Sequence, residues 1–136
     1  MVYVFDSSFA AALVIPDEKN RKTDEFFLSL DETDGIYVPQ LWWYEMGNIL
    51  KNLVRRRRFT YQNALGLVPG LSALNLITDT ASGSGYTEKL LRLAHDYDLS
   101  AYDAAYLELA GRLKAVLCTQ DAGLKAAAGK FGVGLH

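Results

Sequence analysis

The chain has 136 residues, with 50% hydrophobic, 22% charged and 12% aromatic, a composition that suits one globular core and is short for two. At this length folding hides roughly two-thirds of the unfolded surface, so no disulfide or structural metal is required, and the lone Cys118 has no internal bridging partner. Fourteen Lys and Arg against sixteen Asp and Glu give a net charge of −2, which excludes a protein drawn to nucleic acid by its overall field. A single thiol, no charged-then-apolar leader and no apolar run of about 18 residues predict one cytoplasmic domain over residues 1–136 without a membrane span.

Met1 to Phe5 is a short β-branched and aromatic run that stops at Asp6-Ser7-Ser8, residues that favour helix N-caps, ahead of the apolar FAAALVI. This predicts a strand followed by a helix. A second helix is expected where Phe26, Phe27 and Leu30 recur at helical spacing, ending near Asp34-Gly35. Ile36 to Val38 reads as a brief strand. Leu41 to Val54 carries an apolar stripe at 42, 46, 49, 50 and 53, and Arg55 to Arg58 close that helix. Tyr61 to Leu71 predicts another helix, and Leu74 to Ile77 a third strand ahead of the Ser82 to Gly85 loop. Helices from Tyr86 to Asp98 and from Ala101 to Leu113, a strand over Ala115 to Cys118, a helix over Gly123 to Ala128 and a strand over Gly132 to Leu135 complete the alternation. Short apolar strands separated by helices predict an α/β fold, a parallel sheet covered by helices on both faces, with ligands binding beyond the carboxyl ends of the strands.

Four acids stand where this pattern asks for something else. Asp6 ends the first strand and Asp121 lies just beyond the fourth, so a parallel sheet points both into one crevice. Glu45 lies between Trp42 and Ile49, within the apolar stripe of its helix. Glu108 and Arg112 are read as the solvent face of the helix beginning at Ala101. Asp103, five residues before Glu108, is then turned about 140° away and faces inward. Each acid also has an ordinary reading: Asp6 and Asp121 as N-caps, Asp103 in a capping box with Ser100, Glu45 as a first-turn acid favoured by the helix dipole.

Taken together, the acids would repel by roughly 4 kcal/mol per close pair at an effective dielectric of about 20. No Lys, Arg or His has a matching inward position, and one Cys with two distant His residues does not suit zinc. The pattern therefore predicts a hard divalent cation, Mg²⁺ or Mn²⁺, held by Asp6, Glu45, Asp103 and Asp121. Such an ion can activate water and neutralise charge on a phosphodiester, the chemistry of a nuclease. Ser8, Thr119 and Asn48 are candidates for orienting the carboxylates or their waters. Lys51 with Arg55, Arg56, Arg57 and Arg58 forms the densest positive cluster and is the candidate RNA contact, with a solvated helix C-terminus as the plainer alternative.

The residues also resemble a known family. VFDSS, VPQLWWYEMGNIL, LSAYDAAYLELA and CTQDAGLKAAA are similar, in order, to the four acidic motifs of PIN domains, specifically of VapC-like toxins from bacterial and archaeal toxin-antitoxin pairs. The likeness runs from Val2 to Leu135. It implies a five-stranded parallel sheet, Mg²⁺- or Mn²⁺-dependent endoribonuclease activity on RNA, a homodimer, and a VapB-like antitoxin whose C-terminal segment fills the active-site groove. On this resemblance Asp6, Glu45, Asp103 and Asp121 match the catalytic quartet, and Thr119 and Asn48 its supporting polar positions. The paired Trp42-Trp43 departs from the usual pattern and offers a partner contact, with burial in the core as the other reading.

Two rivals are weighed against this. A phosphorylated receiver domain shares the layout but resembles a site with an adjacent acidic pair after strand one, where this chain has serines. A catalytically silent PIN fold kept for binding RNA or protein is the alternative that an intact quartet argues against.

Overall fold

The computed structural model describes all 136 residues. Five strands, β1 (Val2–Phe5), β2 (Gly35–Pro39), β3 (Ile77–Asp79), β4 (Val116–Cys118) and β5 (Gly134–Leu135), form one sheet in the order β3-β2-β1-β4-β5. Every pairing is parallel, with Val4 opposite Tyr37 on one side and Leu117 on the other. Parallel neighbours need crossovers, and seven helices supply them: α1 (Ser7–Val14), α2 (Arg21–Ser29), α3 (Leu41–Arg55), α4 (Tyr61–Ser72), α5 (Ser84–Tyr97), α6 (Ala101–Leu113) and α7 (Ala122–Phe131). A single 3₁₀ turn, Pro16–Glu18, follows α1.

The main core forms around β1, the central strand, where Val4 and Phe5 are fully buried with Val38 of β2 and Leu117 of β4. Continuous burial of β-branched and aromatic residues is what a strand covered on both faces requires. A smaller cluster of Ala11, Ile15, Leu50, Leu53 and Ala64 ties α1 to α3 and α4. The chain runs outward from β1 through β2 to β3, then returns to the other side for β4 and β5. The reversal lies between β1 and β4, and this is where ligands enter sheets of this kind. No helix is long and apolar enough to cross a membrane.

Three expectations are corrected. The third strand is Ile77–Asp79 and not Leu74 to Ile77, because Leu74 is buried beyond α4 and Asn75 takes a left-handed φ of 53° that turns the chain before pairing begins. The second helix stops at Ser29, five residues before Asp34. Glu108 does not mark a solvent face: it is 7% exposed and accepts from Arg112 Nε at 2.8 Å. Arg112 also grips Asp79 at 2.7 and 3.1 Å, so a residue from the end of β3 completes a network that the helix alone does not reveal.

Candidate active site

Asp6 is the first residue beyond β1 and the N-cap of α1, so one side chain serves both roles. Its Oδ1 accepts from the Phe9 amide at 2.9 Å and from Ser8 Oγ at 2.7 Å. Its Oδ2 accepts from Thr119 Oγ1, from the loop after β4. The Asp6 amide meanwhile donates to the Cys118 carbonyl at 3.1 Å, which closes the ends of β1 and β4 together. Thr119 Oγ1 in turn accepts from the Asp121 amide, and Ser8 Oγ from the Gln120 amide, both at 3.0 Å. Asp121 caps α7 through Leu124 at 2.7 Å. Capping therefore fixes these carboxylates without excluding a chemical role, since Asp6 Oδ2 accepts one hydrogen bond only and Asp121 Oδ2 accepts none.

Glu45 is half-buried in the second turn of α3 and accepts from the hydroxyl of Tyr106, a core residue of α6 only 1% exposed. Asp103, one turn earlier on α6, is half-buried as well, its amide donating to Ser100 Oγ at 3.0 Å.

The electrostatics single these acids out. Burial, and then the neighbouring Asp103 charge, push the Asp6 carboxyl above its ordinary range, although Thr119, Phe9 and Ser8 each pull it back. Burial and the charges of Asp103 and Asp6 raise Glu45, against the hydrogen bond from Tyr106. Burial and the Asp121 charge raise Asp103. These groups thus repel one another across elements that are distant in sequence. Asp79 is the instructive contrast: it too ends a strand, yet the Arg112 guanidinium holds it below the usual carboxylate range. Cys118, buried behind Asp6, is pushed up to about 12 by burial and by that same charge, and is an inert thiol at neutral pH.

The all-oxygen, uncompensated set suits a hard divalent cation, which usually keeps several waters and leans on one or two carboxylates. No three acidic, histidine or cysteine side chains are drawn together tightly enough to hold a metal ion by themselves.

Ser8 and Thr119 lie where the sequence suggests, on Asp6. Asn48 is exposed, one turn beyond Glu45. Arg55 to Arg58 are not brought to the crevice: α3 begins at the carboxyl end of β2 and runs away from it, and about 15 Å of helix separates Glu45 from Arg55, with the exposed Lys51 about 9 Å along. Arg58 pairs with Asp17 at 2.8 Å. Trp42 is fully buried and belongs to the core, while Trp43 donates to Thr78 Oγ1 at 2.9 Å.

Tyr106 is the residue that sequence reasoning missed. It sits three positions after Asp103, on the same face of α6, and that spacing was the available signal. As a residue that orients Glu45, it sets a prediction. If the chain has the ribonuclease activity that its resemblance implies, Tyr106→Phe should lower RNA cleavage by about 10–100-fold and move the acidic limb of the pH–rate profile upward, because the lost hydrogen bond is one that lowers the Glu45 pKa. A rate loss with an unmoved profile would assign Tyr106 to packing alone.

The chain is 26% identical over 121 residues to ribonuclease VapC3 of Pyrobaculum aerophilum, covering 89% of this chain and 90% of that protein. Its fold superposes with a TM-score of 0.71 on the crystal structure of PAE2754 from the same organism, at 25% identity over 93% of this chain and 87% of that one. VapBC2 from Rickettsia felis, crystallised with a DNA fragment from its promoter, gives a TM-score of 0.69 at 14% identity, covering 100% and 98%. The PIN domain family model matches residues 3–130, and by that match this chain belongs to the PIN domain family.

Proposed function

We propose that this protein is a divalent-metal-dependent endoribonuclease, the toxin of a VapBC-like toxin-antitoxin pair, which hydrolyses RNA phosphodiester bonds at Asp6, Glu45, Asp103 and Asp121. The observation that carries this is the raised proton affinity of three acids from three separate elements, with no cation beside them, at the reversal point of a parallel sheet. Similarity to a protein named as a ribonuclease supports the reading.

Bound Mg²⁺ or Mn²⁺ supplies an activated water and neutralises charge on the phosphate under attack. The chain's own residues prepare that event. Asp6 is locked by Thr119, Ser8 and the Phe9 amide, so its oxygens keep one orientation. Tyr106 does the same for Glu45. Asp103 and Asp121 add further negative charge beside one another, which a bound cation would offset for an incoming phosphodiester. Preorganised groups of this kind avoid reorganisation during the reaction.

Incubating total RNA with the purified chain, with Mn²⁺ or Mg²⁺ and then with excess EDTA, tests the proposal. Discrete fragments that vanish with chelation are expected. Intact RNA from a folded, metal-replete chain would leave a silent binding module as the better reading.

The protein partner is taken to be a VapB-like antitoxin, with the chain itself forming a homodimer. The fold neighbour from Rickettsia felis is a VapBC assembly, which supports the first of these. The basic end of α3 is assigned to RNA beyond the crevice. Replacing Arg55, Arg56 and Arg57 by Ala should flatten the salt dependence of long-RNA binding by about one unit of slope for each phosphate no longer neutralised, while cleavage of a short oligonucleotide stays as it was. An unchanged slope would return these arginines to a solvated helix end.

A further inference from the structure

Beside the acids lies a groove of about 390 Å³ that the reaction described above does not use. Its rims are Tyr44 of α3 and Tyr102 of α6, 80% and 68% exposed. Each tyrosine immediately precedes an acid of the crevice, Glu45 and Asp103, and one residue of helix turns a side chain by about 100°. Both rims of the groove thus stand on the helices that carry Glu45 and Asp103, one residue from each acid. Tyr86 forms its inner wall, and Gln40 and Ser82 bring an amide and a hydroxyl.

None of the residues lining it carries a charge. A phosphate would find no cation here and would face the acids next door, so the occupant is uncharged. Two large aromatic rings with little covering them, a few hydrogen-bonding groups and a volume within the range of about 300–1,000 Å³ typical of small-molecule sites describe a place for a flat, polar-edged ring. Single-stranded RNA is held by such surfaces, because unstacked bases lie on aromatic faces and offer their edges to amides and hydroxyls.

Resting on the ribonuclease reading, we propose that the groove between Tyr44 and Tyr102 is a subsite that stacks an unpaired base of the RNA next to the bond being cut. It makes cleavage selective for RNA that is unpaired at that position, a selectivity that the acids, which meet only the phosphate, do not provide. A protein occupant is the competing reading, and the placing of both rim tyrosines one residue from an acid favours the nucleotide.

The test compares two fluorescent oligomers of equal length, a single-stranded RNA and an abasic ribose-phosphate chain, binding with Ca²⁺ in place of Mg²⁺ or Mn²⁺, so that a cation offsets the acids while cleavage is held off. The wild type should prefer the RNA. Tyr44→Ala and Tyr102→Ala should each weaken RNA binding by about tenfold, leave the abasic oligomer unaffected, and leave the salt slope unaltered. Tyr44→Trp, which keeps a stacking face, should restore the preference. Equal losses on both oligomers, or no loss on either, would overturn the subsite while leaving the nuclease reading in place. A change in sedimentation without a change in RNA preference would assign the groove to a protein interface and overturn it as well. A wild type that binds neither oligomer and cuts no RNA with metal present overturns the subsite and the nuclease together. Both tyrosines are exposed, so circular dichroism should show the variants folded as the wild type.

Discussion

Asp6→Asn is expected to reduce RNA cleavage by more than about a hundredfold while the variant melts no earlier than the wild type. Groups that only orient a metal's ligands cost about 10–100-fold when removed, and Asp6 stands where the hydrogen bonds of Ser8, Phe9 and Thr119 converge. Asn has the same shape and retains an oxygen for the Phe9 amide, so the cap on α1 survives. The stability forecast follows from the raised pKa of Asp6. A carboxylate that resists ionising in the folded state is a burden at neutral pH, and a neutral amide of equal size removes it. Cleavage at the wild-type rate would take Asp6 out of the mechanism. A lowered melting temperature would move the effect from chemistry to folding.

The second large effect is on stability. Mg²⁺ or Mn²⁺ at about a hundred times its Kd should stabilise the fold by about 2.7 kcal/mol. At a domain of this size that is a rise of about 10 °C in melting temperature. The effect depends on pH with a definite sign. Asp6, Glu45 and Asp103 have folded-state pKa values above their unfolded ones. Without metal, their stabilising contribution is complete below the ordinary carboxylate range and is lost as pH rises through the raised values. Metal needs the ionised forms, so its benefit grows over that same window and vanishes in acid, near about pH 4 and below. A melting temperature indifferent to both ions at neutral pH would sink the metal site. One that responds equally at acid and neutral pH would place the ion elsewhere.

The convergence of the acids was legible because topology enforces it. Any parallel sheet puts its strand ends on one edge, so Asp6 and Asp121 meet wherever the helices go. Glu45 was legible for a related reason, since a charge inside an apolar stripe is conspicuous at helical spacing. What escaped depends on contacts between elements. Tyr106 reads as core by its size, and only the packing of α6 against α3 shows its hydroxyl aimed at Glu45. Glu108 and Arg112, four apart, look like a solvated helix pair until Asp79 arrives from β3. Glu108 is therefore no outward marker from which to phase α6, and what the structure gives for Asp103 is a half-buried side chain. The basic cluster was chosen for its charge density at the end of the helix that carries Glu45, and fifteen residues of helix are long enough to carry that charge well away from a crevice.

The central position of β1 has a consequence for the timing of the protein's birth. Its partner β4 and the hydroxyl of Thr119 are encoded late, Thr119 coming 113 positions after Asp6. At about 5–20 residues per second of synthesis, the first strand waits roughly six seconds or more for its second neighbour. Until then Asp6 lacks the hydrogen bond that fixes its outer oxygen, and Asp121 does not yet exist. A chain abandoned midway on a broken message therefore carries no assembled acid crevice. On the ribonuclease proposed above, strand order alone would keep incomplete copies from cutting RNA.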